Sequence, residues 1–204
     1  MPALNPQLDV FGPNVMCWER GQHGGRTRPM GRDALFKNLV EVHQVLDKHN
    51  IRHWLSHGTI LGAYRDNNFI AWDDDADLGM DFSQRGDMGP VLAELADRGF
   101  YIPPCDPAKP ISKDNAPYYD MVAIRDGEKI EGWFFEKFGD HYIYDKPRAG
   151  NSLKHHTKYY DELGTFNFRG VEFNIPNHIE DYLVMMYGET WRIPNPCKKY
   201  NHQS

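Results

Sequence analysis

The sequence feature that most constrains the fold is a cluster of aspartates that leads into an apolar segment. Aspartates stand at positions 73, 74, 75 and 77, and apolar residues bracket them at positions 70, 72, 78, 80 and 82. Side chains of a β-strand alternate between its two faces, so Asp73, Asp75 and Asp77 would share one face. Carboxylates this close raise one another's pKa unless a positive charge neutralises them. The pattern predicts a divalent cation site, and all-oxygen ligands favour Mg²⁺ or Mn²⁺ over zinc.

Other interpretations of the acidic and histidine residues fit the sequence less well. A calcium loop of the EF-hand type that began at Asp73 would need glycine at position 78 and glutamate at position 84, where the chain has Leu78 and Gln84. The apolar residues around the aspartates indicate partial burial, which argues against a solvated acidic loop. His53 and His57 lack the His-Glu-x-x-His pattern of zinc enzymes and have no cysteine nearby, so we interpret them as ordinary polar residues.

The segment before the aspartates predicts a strand, a turn and a short helix. Residues 51–56 are typical of a strand, and the small residues Gly58 and Thr59 follow it. A helix over residues 59–64 would direct its first N–H groups at a bound anion. Residues 77–82 then predict a second strand, which carries the aspartates into the sheet.

The rest of the chain shows alternating helix and strand patterns. Hydrophobic periodicity predicts helices at residues 32–49, 86–98 and 178–187. Strands are expected at residues 118–125, 129–135 and 141–144, and as a hairpin within 165–175. Asp126-Gly127 is a strong turn signal for the first hairpin, and Asn177 with Glu180 predicts a capping box for the last helix. Residues 146–156 are interpreted as a solvated basic loop.

Length and composition exclude several classes of protein. The 204 residues suit one domain, and a net charge of -6 argues against a nucleic-acid groove. No apolar run approaches the roughly 20 residues of a membrane span, and the N-terminus lacks the features of a signal peptide. The three cysteines are far apart and odd in number, which predicts free thiols in a cytoplasmic protein. Residues 1–31, rich in glycine and proline, predict an irregular N-terminal arm.

A strand, a Gly-Thr turn, a short helix and a carboxylate-bearing strand form the layout of the nucleotidyltransferase fold. We therefore predict an α+β class with a nucleotidyltransferase-like mixed sheet and flanking helices, in a single domain over residues 32–204. In such a site the turn holds phosphate oxygens, and the carboxylates bind the metal that neutralises charge during phosphoryl transfer. A third carboxylate comes from a later strand, and the position of Glu131 in the first hairpin makes it the candidate.

Residues 53–80, HWLSHGTILGAYRDNNFIAWDDDADLGM, resemble the signature of the LicD family, which includes the fukutin-type proteins. The segments FRGVEFNIP, YLVMMYGETW and PNP near the C-terminus are also similar to that family, so the resemblance extends from about residue 32 onward. It implies a metal-dependent transferase that moves a phospho-alcohol group, such as phosphocholine or phosphoribitol, from a CDP-activated donor to a hydroxyl of a sugar or glycan. CMP would be the leaving group.

The resemblance also implies roles for individual residues. Asp75 and Asp77 would be the metal pair, and Asp73 would support them or join the coordination. Glu131 would be the third ligand or the base that takes the acceptor's proton. The donor diphosphate would be held by the turn and helix residues Gly58, Thr59, Gly62 and Arg65. The chain departs from the family pattern at Glu131, where aspartate is usual, and at Ala71 and Ala76, where larger residues are usual.

Several alternatives stay open at this point. Arg65 also suits a salt bridge with its neighbour Asp66, and Glu131 also suits the surface of a hairpin. The same fold and metal would serve a nucleotidyltransferase that adds a nucleoside monophosphate to a small acceptor. A binding protein that kept the fold without turnover is the third function class, although burial of unpaired aspartates would cost such a protein several kcal/mol.

Overall fold

A computed structural model describes residues 31–103, 121–144 and 154–195 of the chain. These residues form a mixed sheet with helices around it, which confirms the predicted α+β class. The predicted N-terminal arm lies outside the described residues apart from Gly31. Within the three described ranges, no helix combines the length and the hydrophobicity that a membrane span requires.

The helices and strands follow the predicted order with small differences at their ends. The helices are α1 (Arg32–Lys48), α2 (His57–Asp66), α3 (Met88–Asp97) and α4 (Ile179–Tyr187). The strands are β1 (His53–Leu55), β2 (Asp75–Asp81), β3 (Met121–Arg125), β4 (Glu128–Phe138), β5 (His141–Ile143), β6 (Lys154–His156), β7 (Leu163–Phe168) and β8 (Val171–Pro176). Short 3₁₀ helices cover Phe82–Asp87 and Thr157–Tyr159.

The main sheet has the order β1-β2-β4-β5-β6, with β3 paired to β4. β2 and β4 are parallel, whereas β1 pairs antiparallel with β2 and β3 pairs antiparallel with β4. Asp126 and Gly127 join β3 to β4, and both have positive φ angles (55° and 73°), as a two-residue hairpin turn requires. β7 and β8 form a separate hairpin.

The core lies between the sheet and the helices. α1 buries an apolar stripe that includes Leu35, Leu39, Val42 and Leu46, all of them fully excluded from solvent. Trp54 of β1 is also fully buried, and its indole lies directly over Gly79 of β2. A side chain at position 79 would occupy the space of the indole ring, so a glycine is needed at this point of the sheet.

Two local predictions were wrong. Lys154–His156 forms strand β6 and not part of a solvated loop, because the His155 ring is fully buried and makes a hydrogen bond with the Tyr160 hydroxyl.

The last helix also lacks the predicted capping box. It begins at Ile179 after a left-handed residue, His178, and the Asn177 side chain accepts a hydrogen bond from the His178 amide, before the helix begins. The predicted helix end at Gly188 is confirmed.

We expect Gly79→Ala to lower the free energy of unfolding by roughly 1–3 kcal/mol, because the added methyl group would overlap the Trp54 indole. Urea denaturation measures the effect. Gly86→Ala is the matched control, since no atom lies within 4 Å of a Cβ at position 86, and its effect should stay within about 0.5 kcal/mol. Equal effects of the two substitutions would contradict the described packing of Trp54.

Candidate active site

The parallel pairing of β2 with β4 brings the acidic residues of two strands together. The register places Asp77 beside Glu131 and Asp75 beside Lys129. One carboxylate oxygen from each of Asp75, Asp77 and Glu131 lies within 4.8 Å of the other two. Asp77 and Glu131 are buried, with 8% and 2% of their surface exposed. The predicted metal pair and the predicted third carboxylate therefore occupy one cluster.

A second group of carboxylates adjoins the first. Asp73, Asp74 and Asp75 also bring one oxygen each within 4.8 Å of one another, so Asp75 belongs to both groups. The alternation of a strand would have turned Asp74 away from this side. It does not apply here, because β2 begins at Asp75 and the two preceding aspartates lie outside the strand.

Asp77 is held in place by three hydrogen bonds. Its backbone amide donates to the Thr59 hydroxyl at 2.7 Å, and its carbonyl accepts from the Ser56 amide at 3.1 Å. The indole N–H of Trp133 donates to one carboxylate oxygen of Asp77, Oδ1, at 2.9 Å. That hydrogen bond restricts the orientation of the Asp77 carboxylate within the cluster.

The turn at the start of α2 lies against the aspartates. A Cβ at Gly58 would overlap the carboxylate of Asp73, so this position accommodates the acidic group because it has no side chain. Gly58 is in the first turn of α2, where the positive end of the helix dipole favours a negative charge. Thr59, in the same turn, joins α2 to β2 through its hydroxyl.

The other two residues predicted to hold the donor lie further along α2. A Cβ at Gly62 would meet the backbone of Asn68 and Ile70 at 2.5 and 2.8 Å, so this glycine allows close packing of the chain after the helix. Arg65 lies in the last turn, about 10 Å along the helix axis from Gly58. Its guanidinium contacts both oxygens of Asp66, at 2.7 to 3.1 Å. The salt bridge that the sequence left open is thus present, and donor binding by Arg65 stays a prediction.

Burial and mutual repulsion disfavour the charged forms of these carboxylates. Burial, followed by the charges of Asp75 and Asp74, raises the pKa of Asp73 to about 8. Burial and the charge of Asp75 hold the pKa of Asp77 well above its ordinary value. Burial raises the pKa of Glu131 to about 7, although a hydrogen bond from Lys129 opposes the shift. A cation bound among these oxygens would reverse the shifts.

Lys129 supplies one positive charge to the cluster. Its ammonium lies 3.2 Å from an Asp75 oxygen and in direct contact with Glu131. Burial alone would lower the pKa of Lys129, but the hydrogen bond to Glu131 and the charge of Asp75 outweigh burial and raise it. One ammonium cannot neutralise the five carboxylates in the two groups. The all-oxygen donor set, the burial and the raised pKa values fit a Mg²⁺ or Mn²⁺ ion held by Asp75 and Asp77, with Glu131 beside it.

Sequence reasoning missed Lys129 and Trp133 as members of the site. The alternation of side chains along a strand could have identified both, because residues 129, 131 and 133 share one face of β4 and Glu131 was already a candidate. What the rule could not supply was the register against β2, which decides which residues of the two strands meet.

Comparison with known proteins gives a match to one family model. The profile described as "LicD/FKTN/FKRP, nucleotidyltransferase domain" matches residues 50–178, which is more than half of the chain. The matched segment contains the turn, the aspartates, β4 and the β7–β8 hairpin. The match confirms the resemblance that the sequence motifs indicated.

Individual proteins and one solved structure are also similar to this chain. Human ribitol-5-phosphate transferase FKTN is 28% identical over 168 residues, which are 78% of this chain and 33% of the human protein. An uncharacterized protein of Rickettsia prowazekii is 30% identical over 69 residues, 34% of this chain and 26% of that protein. The chain thus aligns with about a third or less of these relatives. Among solved structures, lincosamide antibiotic adenylyltransferase LnuA is similar, at 14% identity and a TM-score of 0.47, over 78% of this chain and 94% of that chain.

We expect the metal-free protein to lose stability as the pH rises from about 4 to about 8, between the unfolded and the folded pKa values of two carboxyl groups. Asp73 and Glu131 have folded pKa values of about 8 and about 7, above their ordinary values of 3.8 and 4.5. The folded state therefore binds protons that the unfolded state has already released, and this stabilisation is lost as the pH rises through the folded pKa values. Urea midpoints measured in a chelating buffer should fall over this range, and should fall less in Asp73→Asn. A midpoint that rises with pH would contradict the raised pKa values.

We expect Trp133→Phe to weaken binding of Mn²⁺ by roughly tenfold, because the ring is retained while the hydrogen bond that orients Asp77 is lost. Isothermal titration calorimetry measures the affinity. Trp191→Phe is the matched control, since the buried Trp191 indole nitrogen has no hydrogen-bond partner among the described residues. If Trp133→Phe bound Mn²⁺ as tightly as the control, Trp133 would have no orienting role.

Proposed function

The chain belongs to the LicD/FKTN/FKRP family of nucleotidyltransferase domains, and from this membership we propose that it is a metal-dependent transferase of phospho-alcohol groups. Its donor is a CDP-activated alcohol of the phosphoribitol or phosphocholine kind, and its acceptor is a hydroxyl of a sugar or glycan. The name of the human relative, a ribitol-5-phosphate transferase, favours phosphoribitol between these two. Because the chain spans a third of that relative, this choice is a proposal for the present protein.

One observation carries the proposal. Asp75, Asp77 and Glu131 converge within 4.8 Å in a buried cluster beside the first turn of α2. A divalent ion bound there would neutralise the diphosphate of the donor and stabilise the charge that develops in phosphoryl transfer. A purely structural protein would have no need for three converging carboxylates, since their burial without a cation is destabilising.

The residues of the chain divide the remaining tasks. Asp75 and Asp77 would hold the metal, and the first turn of α2 at Gly58 and Thr59 would contact donor phosphate oxygens through its backbone N–H groups. Thr59 also has a structural task, because its hydroxyl accepts the hydrogen bond of the Asp77 amide. Trp133 keeps the Asp77 carboxylate in one orientation. With these roles, the donor would lie between the turn and the aspartates.

Glu131 is the residue best suited to take the acceptor's proton. A general base works best when its pKa lies near the working pH; burial, which raises the pKa of Glu131 to about 7 without a cation, would offset part of the lowering that a cation on Asp75 and Asp77 causes. In the proposed step the acceptor hydroxyl loses its proton to Glu131 and forms a new O–P bond to the phosphorus that carries the alcohol. The bond from that phosphorus to the bridging oxygen breaks, and CMP leaves with the bond's electron pair. Lys129 stays beside Glu131 as the group that tunes its basicity.

We expect Asp77→Asn to reduce transfer at least a hundredfold, because it removes a charged metal ligand while it keeps the shape of the side chain. Mass spectrometry of reactions with CDP-ribitol or CDP-choline, Mg²⁺ and candidate acceptors measures the released CMP. Asp97→Asn is the matched control, since Asp97 is an exposed helical aspartate far along the sequence from the cluster, and its activity should be unchanged.

The same assay distinguishes the other function classes. Release of pyrophosphate from CTP or another nucleoside triphosphate, with transfer of the nucleoside monophosphate, would replace the proposal by a nucleotidyltransferase. Binding of a cytidine nucleotide and Mg²⁺ with no turnover of any acceptor would favour a binding protein. Equal activity of Asp77→Asn and the native chain would contradict a catalytic role for the aspartates.

A further inference from the structure

A second cluster of metal-binding side chains lies away from the aspartates, where α1, β1 and β8 meet. His43 and Asp47 are one turn apart on α1, and His53 is the first residue of β1. One ligand atom from each of the three lies within 4.8 Å of the other two. Both histidines are largely buried, with 11% and 2% of their side chains exposed, whereas Asp47 is 56% exposed and open to solvent.

The hydrogen bonds of His53 fix which of its nitrogens can bind a ligand. Nδ1 of His53 lies 2.7 Å from the carbonyl of Ile51, and a carbonyl can only accept a hydrogen bond. The N–H of the neutral ring is therefore at Nδ1, and the lone pair is at Nε2. A metal-binding histidine usually has this arrangement, with its other N–H donated to a backbone carbonyl or a carboxylate.

The neighbours of His43 also bear on which of its ring nitrogens carries the proton. Its Nε2 lies 3.4 Å from a carboxylate oxygen of Asp47, and the backbone carbonyl of Glu172 also favours a proton on the ring. Both neighbours are hydrogen-bond acceptors, and the tautomer with its N–H at Nε2, beside Asp47, leaves the lone pair at Nδ1. Nδ1 of His43 faces Nε2 of His53 at 2.7 Å.

Nδ1 of His43 and Nε2 of His53 can be joined in two ways: His43 can donate an Nδ1–H hydrogen bond to His53, or, with its N–H at Nε2, it can share a cation with His53. Asp47 brings a carboxylate oxygen to 3.9 Å from Nε2 of His53, and this third ligand favours the shared cation, which would be a metal ion. Two imidazole nitrogens with one carboxylate match the preference of zinc and similar divalent transition metals, in contrast to the all-oxygen cluster of β2 and β4.

We propose that His43, Asp47 and His53 form a binding site for a divalent transition metal of the zinc type, separate from the candidate active site. The imidazole nitrogens would need to move apart by about 0.6 Å, since two ligands at about 2.05 Å in a tetrahedral arrangement are about 3.3 Å apart. The exposed Asp47 side chain can turn toward the ion and leaves a path for it from solvent. The bound ion would join the end of α1 to the edge of the sheet at β1.

The test uses the full chain, stripped of metals with a chelator and then saturated with Mg²⁺ so that the aspartate cluster is occupied. Calorimetric titration with Zn²⁺ should detect one equivalent that Mg²⁺ does not displace. Asp47→Asn should weaken this binding by roughly tenfold or more, and because Asp47 is exposed, this variant should fold normally. His43→Gln should weaken it as well, with circular dichroism used to check the fold.

Two controls separate the site from the others in the chain. Asp77→Asn should retain the Zn²⁺ equivalent, so that failure of the proposed transferase function and failure of this site are distinguishable. Asp97→Asn, which removes an exposed carboxylate elsewhere, should also retain it. Titration with Co²⁺ should give the visible absorption of a nitrogen and oxygen site without the charge-transfer band of a thiolate, which excludes the three cysteines as the source.

Nuclear magnetic resonance of ¹⁵N-labelled histidines gives an independent readout. Zn²⁺ should shift His43 Nδ1 and His53 Nε2 and leave a proton on the opposite nitrogen of each ring. The proposal is overturned if the native chain binds no more Zn²⁺ than Asp47→Asn. It is also overturned if a proton persists between the two rings at saturating Zn²⁺, which would identify a proton-sharing histidine pair.

Discussion

The parallel pairing of β2 with β4 is the constraint on which the rest of the structure depends. In one register it places Asp77 beside Glu131 and Asp75 beside Lys129, with all four side chains on the same face. If the register of β2 against β4 shifted by one residue, these four side chains would turn to the opposite face of the sheet. The apolar residues that alternate with them must stay in the core, so they also determine the position of the acidic cluster. Ala76 and Leu78 of β2 and Ile130 of β4 are fully buried on that other face. The site is therefore a direct product of strand packing.

The electrostatics of the cluster explain why neighbouring residues are arranged as they are. The first turn of α2 faces Asp73, the Trp133 indole donates to Asp77, and the Lys129 ammonium contacts Asp75 and Glu131. Each contact offsets part of the negative charge, and none of them removes the burial that raises the carboxylate pKa values. A divalent ion would bind carboxylate oxygens that these contacts leave unneutralised. It would also replace part of the positive charge that Lys129 supplies. A bound metal would thus compete with the Lys129 ammonium for oxygens of Asp75 and Glu131.

The sequence predicted those features that depend on local patterns. The periodicity of α1, the Asp-Gly turn between β3 and β4 and the position of Asp75 and Asp77 on one face of a strand all follow from spacing along the chain. Metal binding by these two aspartates stays a prediction. Features that depend on distant contacts were missed. The polar segment at Lys154–His156 became a strand because its edge pairs with β5 and His155 fits among aromatic rings, which no local pattern indicates. His43 and His53 meet only because the chain reverses between α1 and β1.

The central claim is that Asp75 and Asp77 bind a divalent ion beside Glu131, and anomalous diffraction from crystals soaked in Mn²⁺ tests it most directly. The account predicts one strong anomalous peak at bonding distance from carboxylate oxygens of Asp75 and Asp77, with Lys129 displaced from at least one of its two partners. A cluster that shows no peak at saturating Mn²⁺, with Lys129 still in contact with Asp75 and Glu131, would contradict the account.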